Sequence, residues 1–508
     1  MRHLFYKFAI VSSLLVGALA FFLHNPNILW IFALLGPLIL VGLMNSMQGK
    51  HAILKNFPIL GYFRYLFELI APEIQQYFIE RNTDGKPFSR NHRALVYKRA
   101  KGVNDTYPFG TQSEILDDHY EGLRHSIYAK EPVEEFPRVT VGSSLCKQPY
   151  SASVLNISAM SFGSLSKNAI LALNTGAKKG DFYHNTGEGG LSDYHIEPGG
   201  DLVWQLGTGY FGCRTQDGTF EPKKFKEKAA IPSVKMIEIK LSQGAKPGHG
   251  GVLPGIKNTL EIARMRDIEP YQTVISPPSH NHFNDAKGLI HFVKELRDLS
   301  EGKPIGFKLC IGRTEEFIEL CEVMKTEGIW PDFITVDGAE GGTGAAPLEF
   351  ADSVGVPLEP ALIFVQSTLK KYGLRDEIKV IASGKVLTAF SILRMKALGA
   401  DICNSARAFM FSLGCIQALK CNSNDCPTGV ATQDAELAKG LAVTDKSERV
   451  YRFHHNTVVA VLELLGTCGL KHTEEISIDM FVKGDEMVTL SNRYFPDSLL
   501  NRVDDIKD

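Results

Sequence analysis

The stretch "DFITVDGAEGGTGA", residues 332–345, decides the fold. An apolar β-type run turns polar at Asp337 and then breaks on glycines. A helical pattern follows in "PALIFVQSTLKKYG" (360–373). The next unit repeats the design, with "KVIASGKV" (379–386) leading into "TAFSILRMKALG" (388–399). Strands that are apolar throughout, rather than alternating, are covered on both faces, and helical crossovers between them imply parallel pairing.

Working outward, the same grammar recurs. Further β-type runs are "VLNISAMSFG" (154–163), "FYHNTGEGG" (182–190), "LVWQLGTGYFG" (202–212) and "VKMIEIKLSQGAKPGHGG" (234–251). "TVISPPSH" (273–280), "PIGFKLCIG" (304–312) and "ADICNSARAF" (400–409) continue the series. Helical spacers such as "DAKGLIHFVKELRDLS" (285–300) and "TEEFIELCEVMKTEG" (314–328) lie between them. About eight such units predict a (β/α)8 TIM barrel. The alternative is a doubly wound open sheet; no G-x-G-x-x-G opens the first helix, and polar clusters recur at many strand ends instead of one switch point.

A barrel brings its strand ends to one rim, which gathers Ser161, Asn185, Glu188, Lys246, His280, Lys308, Asp337 and Gly384 around one pocket. "GGTG" (341–344) and "ASGK" (382–385) are late strand-to-helix turns of the kind that bind phosphate through backbone N–H groups. Together they favour a phosphate-bearing cofactor. Lys308 is an inward lysine on an apolar strand and needs a partner. Either a flavin that becomes anionic on reduction or a carboxylate such as Asp337 would serve.

The composition is that of a folded protein: 508 residues, 44% hydrophobic and 22% charged. A formal net charge of -2 gives no case for nucleic acid. The only basic cluster, "RNHRALVYKRAKG" (90–102), reads as a solvated segment. Residues 8–23 and 28–44 are uncharged and each close to the ~20 residues that cross a bilayer. Arg2, Lys7, Lys50 and Lys55 flank the pair, so the charge bias favours a hairpin with both ends in the cytoplasm. The alternative is a signal peptide cut after Ala18-Leu19-Ala20. The aromatic run at residues 57–78 could lie on a membrane or pack on the main domain. The expected organisation is a transmembrane hairpin (1–48), an extension packing on the barrel (49–140), the barrel with its cysteine cluster (141–435), and a C-terminal helical extension (436–508). The expected location is the inner membrane, with the catalytic domain facing the cytoplasm.

"SAMSFGSLS", "NTGEGG", "EIKLSQGAKPGHGGVLPG", "ISPPSHN", "DGAEGGTGAAP" and "CIQALKCNSNDCPTGVATQD" occur in that order. They resemble the FMN-binding synthase domain of glutamate synthase, and more narrowly its stand-alone, membrane-anchored form. The resemblance implies a 3Fe-4S cluster held by Cys415, Cys421 and Cys426, spaced six and then five residues apart. Thiolates are the soft ligands such clusters take; buried reduced thiols are the alternative. It further implies Ala159, Met160, Ser161, Asn185, Gln205 and Lys308 around the flavin ring. Gly341, Gly342 and Gly384 fall at its phosphate end, with Asp337 also on the cofactor side. Gln243 and Lys246 would hold 2-oxoglutarate, Ser161 would assist, and Arg266, or Arg264 in the neighbouring register, would take a carboxylate. Glu188 would stand at the ammonia route and share proton handling with Lys246.

His249 departs from the resemblance, standing where the family usually has an acid. The expected organisation also includes no glutaminase domain, NADPH-binding domain or C-terminal β-helix of the kind a full glutamate synthase carries. The expected activity is reduction of 2-iminoglutarate, from 2-oxoglutarate and ammonia, to glutamate. Electrons would come from an external donor, a ferredoxin or a membrane carrier. Two rivals are an FMN-dependent dehydrogenase or transferase on a glutamate derivative, and a non-catalytic flavin electron-transfer subunit.

Overall fold

The computed structural model describes residues 1–116 and 120–482, together with Glu486, Met487, Thr489 and Tyr494. The chain divides into two units, Met1–Ser89 and Arg90–Asp508.

In the first unit, helix Arg2–Phe22 and the segment Pro26–Met47 are each long and apolar enough to cross a membrane, with mean hydropathy of 1.9 and 2.2. Most of their surface is exposed, since only 11% and 6% of the two spans is buried. A Tyr6 to Ser46 hydrogen bond of 2.9 Å joins the two helices. A shorter amphipathic helix, Gly61–Ile74, follows.

In the second unit, strands β1 (Arg138–Val141) and β2 (Tyr150–Ser153) form an antiparallel pair. The barrel strands are β3 (Leu155–Ile157), β4 (His184–Asn185), β5 (Leu202–Leu206) and β6 (Val234–Lys240), followed after an excursion by β9 (Ile305–Leu309), β10 (Phe333–Asp337), β11 (Lys379–Ser383) and β12 (Ile402–Ser405). They close in the order β10-β11-β12-β3-β4-β5-β6-β9, every neighbour parallel. The expected (β/α)8 barrel is therefore the observed one. Burial explains the apolar runs: all five residues of β10 and all four of β12 are buried.

The β1–β2 pair stoppers the amino-terminal end of the barrel. Val141, Tyr150 and Ala152 pack with Tyr183, Val203, Met236, Phe333, Ile381 and Ile402. Asp332 ties this stopper down. It accepts from Ser143 N (2.8 Å), Ser143 Oγ (2.6 Å) and Ile305 N (2.8 Å), and pairs with Arg297 at 3.0 Å.

Two expectations are corrected. "TVISPPSH" is not a barrel strand. Its Val274–Ile275 (β8) pairs antiparallel with Val252–Leu253 (β7) in a two-stranded sheet outside the barrel. Pro277 and Pro278, which lack N–H donors, prevent its ladder from continuing. The basic segment at 90–102 is not simply solvated either. It forms helix Arg90–Lys101, which buries Arg93, Val96 and Ala100. Its Tyr97 hydroxyl donates to Cys415 O at 2.6 Å. Helix Val443–Thr467 packs against it and against helix Lys167–Gly180.

Candidate active site

The barrel interior carries a buried carboxylate, Glu238, flanked by Ile237 and Ile239 in strand β6. Its Oε1 accepts from Asn185 Nδ2 (2.8 Å) and Gln205 Nε2 (2.6 Å), and its Oε2 from Thr335 Oγ1 (2.6 Å). The two amides expected at a flavin ring are thereby fixed in orientation from below. Toward the strand ends, Lys308 lies 3.5 Å from Asp337. Burial works against the lysine's charge, but Asp337, Glu238 and Glu188 hold its pKa above the ordinary lysine value. Asp337 also accepts from Ser383 Oγ (2.7 Å) and Gly244 N (2.8 Å).

At the rim, Glu188 follows β4 and Lys240 ends β6; their Oε1 and Nζ are 2.7 Å apart. Lys240 also donates to the Gln243 side chain. Burial would raise Glu188, but Lys240, Lys246 and Arg266 hold it below the usual carboxylate range. Lys246 is pushed below the ordinary lysine value by burial and by Lys240, with Glu188 opposing. Arg266 is buried while Arg264 is exposed, so Arg266 is the arginine that faces the site. It donates to Phe162 O at 2.9 Å, and its Nε has no protein partner. Burial lowers it to about 10. The guanidinium fits because Gly189 lacks a side chain: a Cβ there would stand 2.6 Å from Arg266 Nη2 and 2.7 Å from Ser161 Cβ. Three cations around one carboxylate leave two positive charges in excess, which suits a dicarboxylate.

The remaining expected residues fall close by. Met160, with Ala159 and Ser161 beside it, lies on the turn after β3, and its N donates to Asn185 O at 3.1 Å. Ser161 Oγ donates to Ser164. Gly341, Gly342 and Gly384 form the late turns, with Arg407 beside them donating to Glu340 O at 2.8 Å. A Cβ on Gly342 would stand 2.7 Å from Arg407 Nε. Burial lowers Arg407 to about 10. His249 lines a small cavity with Glu188, Lys240 and Gln243. His280, expected in the pocket, is instead held by Tyr210 OH (2.8 Å) and Lys240 O (2.9 Å). Burial lowers it to about 4, so it is a neutral supporting histidine.

Cys415, Cys421 and Cys426 lie on the loop after helix Arg407–Leu413. Burial pushes Cys415 up to about 12 and also raises Cys421. Cys426 is held below its ordinary value, because hydrogen bonds from Thr428 and from the backbone of Ala431, Thr428 and Val430 outweigh its burial. Among the described residues, no three His, Cys, Asp or Glu side chains converge as a metal ligand set. Buried Lys257 ties this loop to the site. It donates to Ser164 O (2.9 Å), Cys421 O (3.0 Å) and Ala431 O (3.1 Å).

Glu238, Lys240, Lys257 and Arg407 were not singled out from sequence. The signal that marked Lys308, a charge within an apolar strand, is equally present in "MIEIK" (236–240).

A closed parallel barrel with its ionisable side chains gathered at the strand carboxyl ends places the chain among the (β/α)8-barrel enzymes. Residues 117–471 match the model of the conserved region in glutamate synthase. The chain belongs to the glutamate synthase family. The glutamate synthase large subunit-like protein YerD of Bacillus subtilis is 38% identical over 464 residues, covering 83% of this chain and 88% of that protein. An archaeal glutamate synthase (NADPH) of Methanocaldococcus jannaschii is 35% identical over 321 residues, covering 63% of this chain and 60% of its own length. Among solved structures, a flavocytochrome b2 with sulfite bound aligns over 82% of this chain and 85% of its own at 13% identity. Its TM-score of 0.44 is too low to bear on ligand or activity.

Proposed function

We propose that the protein is an FMN-dependent oxidoreductase of glutamate-synthase type that reduces 2-iminoglutarate to glutamate with electrons from an external donor. The observation that carries this reading is the rim cluster, in which Lys240, Lys246 and Arg266 surround the single carboxylate of Glu188. Condensation of 2-oxoglutarate with ammonia loses water, and the imine then takes up two electrons and two protons.

The residues present fit a flavin phosphate. Gly341, Gly342 and Gly384 leave backbone exposed in two adjacent turns, and Arg407 supplies a cation beside them. Ala159, Met160, Ser161, Asn185, Gln205, Lys308 and Asp337 would hold the ring. When bound, FMN would supply hydride to the substrate carbon. The chain's own residues do the rest. Arg266, Gln243 and Lys246 hold the substrate, with Ser161 beside Arg266. Lys246, whose affinity for its proton is weakened, delivers a proton at the substrate nitrogen. Glu188 keeps its charge, orients Lys240 by their ion pair and acts on Lys246 through its field. Glu238 orients the amides of Asn185 and Gln205 beneath.

At the three cysteines, the donor chemistry suits a 3Fe-4S cluster, and hydrogen bonds already favour thiolate at Cys426. Among the described residues the three sulfur atoms are not gathered as a ligand set. Iron and acid-labile sulfide analysis decides the cluster. The two apolar helices support anchoring in a membrane, the inner membrane in a bacterial cell, with the barrel in the cytoplasm. Ammonia would arrive free or from a partner.

His249, on the wall shared with Glu188 and Gln243, favours a second reading: oxidation of a glutamate derivative, with electrons passed to a membrane carrier. An anaerobic assay separates the two. Reduced enzyme that reoxidises and forms glutamate on addition of 2-oxoglutarate and ammonia supports the first. Bleaching of oxidised flavin by a glutamate derivative supports the second. No response to any keto or amino acid removes both and leaves an electron-transfer subunit.

A further inference from the structure

The amphipathic helix Gly61–Ile74 of the first unit carries an exposed aromatic face. Tyr62, Phe63, Leu66, Phe67, Leu69 and Ile70 are all exposed. At 100° per residue they span about 160° of the helix circumference. Arg64 and Glu68 pair at 2.8 Å on the opposite side. A patch of this kind marks an interaction surface.

Two hydrogen bonds indicate what covers it. Asn45, buried near the end of helix Phe32–Met47, donates to Pro58 O at 2.7 Å and accepts from Tyr62 OH at 3.4 Å. Apolar surface on that helix ends where Gln48, Lys50 and His51 begin. The aromatic helix therefore starts at the polar end of the apolar pair, the depth at which acyl chains meet headgroups. Aromatic side chains on one face and a charged pair on the other match that boundary, with Glu73 the one acid within the aromatic arc, in the helix's last turn.

We infer that helix Gly61–Ile74 lies in the plane of the membrane interface as a third membrane element, with Arg64 and Glu68 toward water. The inference rests on the anchoring part of the proposed function. The full chain is tested in vesicles of phosphatidylethanolamine and phosphatidylglycerol, with p-benzoylphenylalanine replacing Phe67 or, separately, Glu68. After illumination, lipid adducts at position 67 are expected to exceed those at 68 by at least about fivefold. Crosslinks from position 67 to residues 90–508 or to a second copy, or no lipid adduct at 67, would overturn it. A carbonate wash of the unsubstituted chain reports on the hairpin separately. Release by carbonate with the adduct at 67 intact removes the hairpin and keeps the interfacial helix. Retention without the adduct removes the helix alone.

Discussion

Lys240 Nζ stands 2.7 Å from Glu188 Oε1, joining the end of the fourth barrel strand to the turn after the second. The pair keeps a carboxylate charged amid three cations and fixes where Lys240 points. Glu188→Gln keeps the shape and removes the charge. The expected loss in kcat/KM for 2-oxoglutarate and ammonia is at least about a hundredfold, in the range of losing one preorganised electrostatic group. Steady-state assays check it, beside a thermal melt to show that the fold survives.

Lys246 supplies a pH test. Because its pKa is lowered, it loses its proton on the alkaline side below the ordinary lysine value of 10.5. The rate is expected to fall along that limb. Lys246→Arg keeps the charge throughout, so the limb should flatten even as the maximal rate drops. A pH–rate profile of both proteins reads the difference.

Gly189→Ala puts a methyl group against Arg266 and Ser161. Displacing the guanidinium weakens its hold on a carboxylate, so KM for 2-oxoglutarate should rise about tenfold or more, with kcat changed less. An unchanged KM would take Arg266 out of substrate binding.

Asp332→Ala leaves Arg297 buried without its partner and frees the stopper's Ser143. A cost of about 3–5 kcal/mol is expected. Urea denaturation measures it.

Acid should unfold the protein through its buried histidines. Burial lowers His195 and His280 to about 4 and His454 to about 3, and takes His184 well below its ordinary value. The unfolded chain binds these protons near pH 6.5 while the folded one does not, so stability is complete above that pH and falls as pH drops toward 4. At pH 5, unfolding should take up roughly three to four protons at these sites. Calorimetry in buffers of different ionisation heat checks the number, and His280→Gln should lower it by about one.

Much of the barrel was legible because parallel strands buried on both faces open on apolar residues: β10 begins Phe333-Ile334 and β12 begins Ile402-Cys403, and both turn polar only toward the strand ends that face the site. The run 273–280 looked the same locally, yet only long-range pairing decides that it forms a side ribbon. Helix Arg90–Lys101 was hidden by its charges; it buries one narrow face, and its long cations cover the rest. Of the rim, the residues next to glycines stood out. Lys240 and Glu238 were overlooked although they carry the same mark as Lys308, a charge within a strand that is otherwise buried on both faces.

The packed floor beneath the strands makes the barrel a cul-de-sac. In the proposed reaction the loop-bearing mouth would serve both arrival and departure, so each product would have to clear the way for the next reactant.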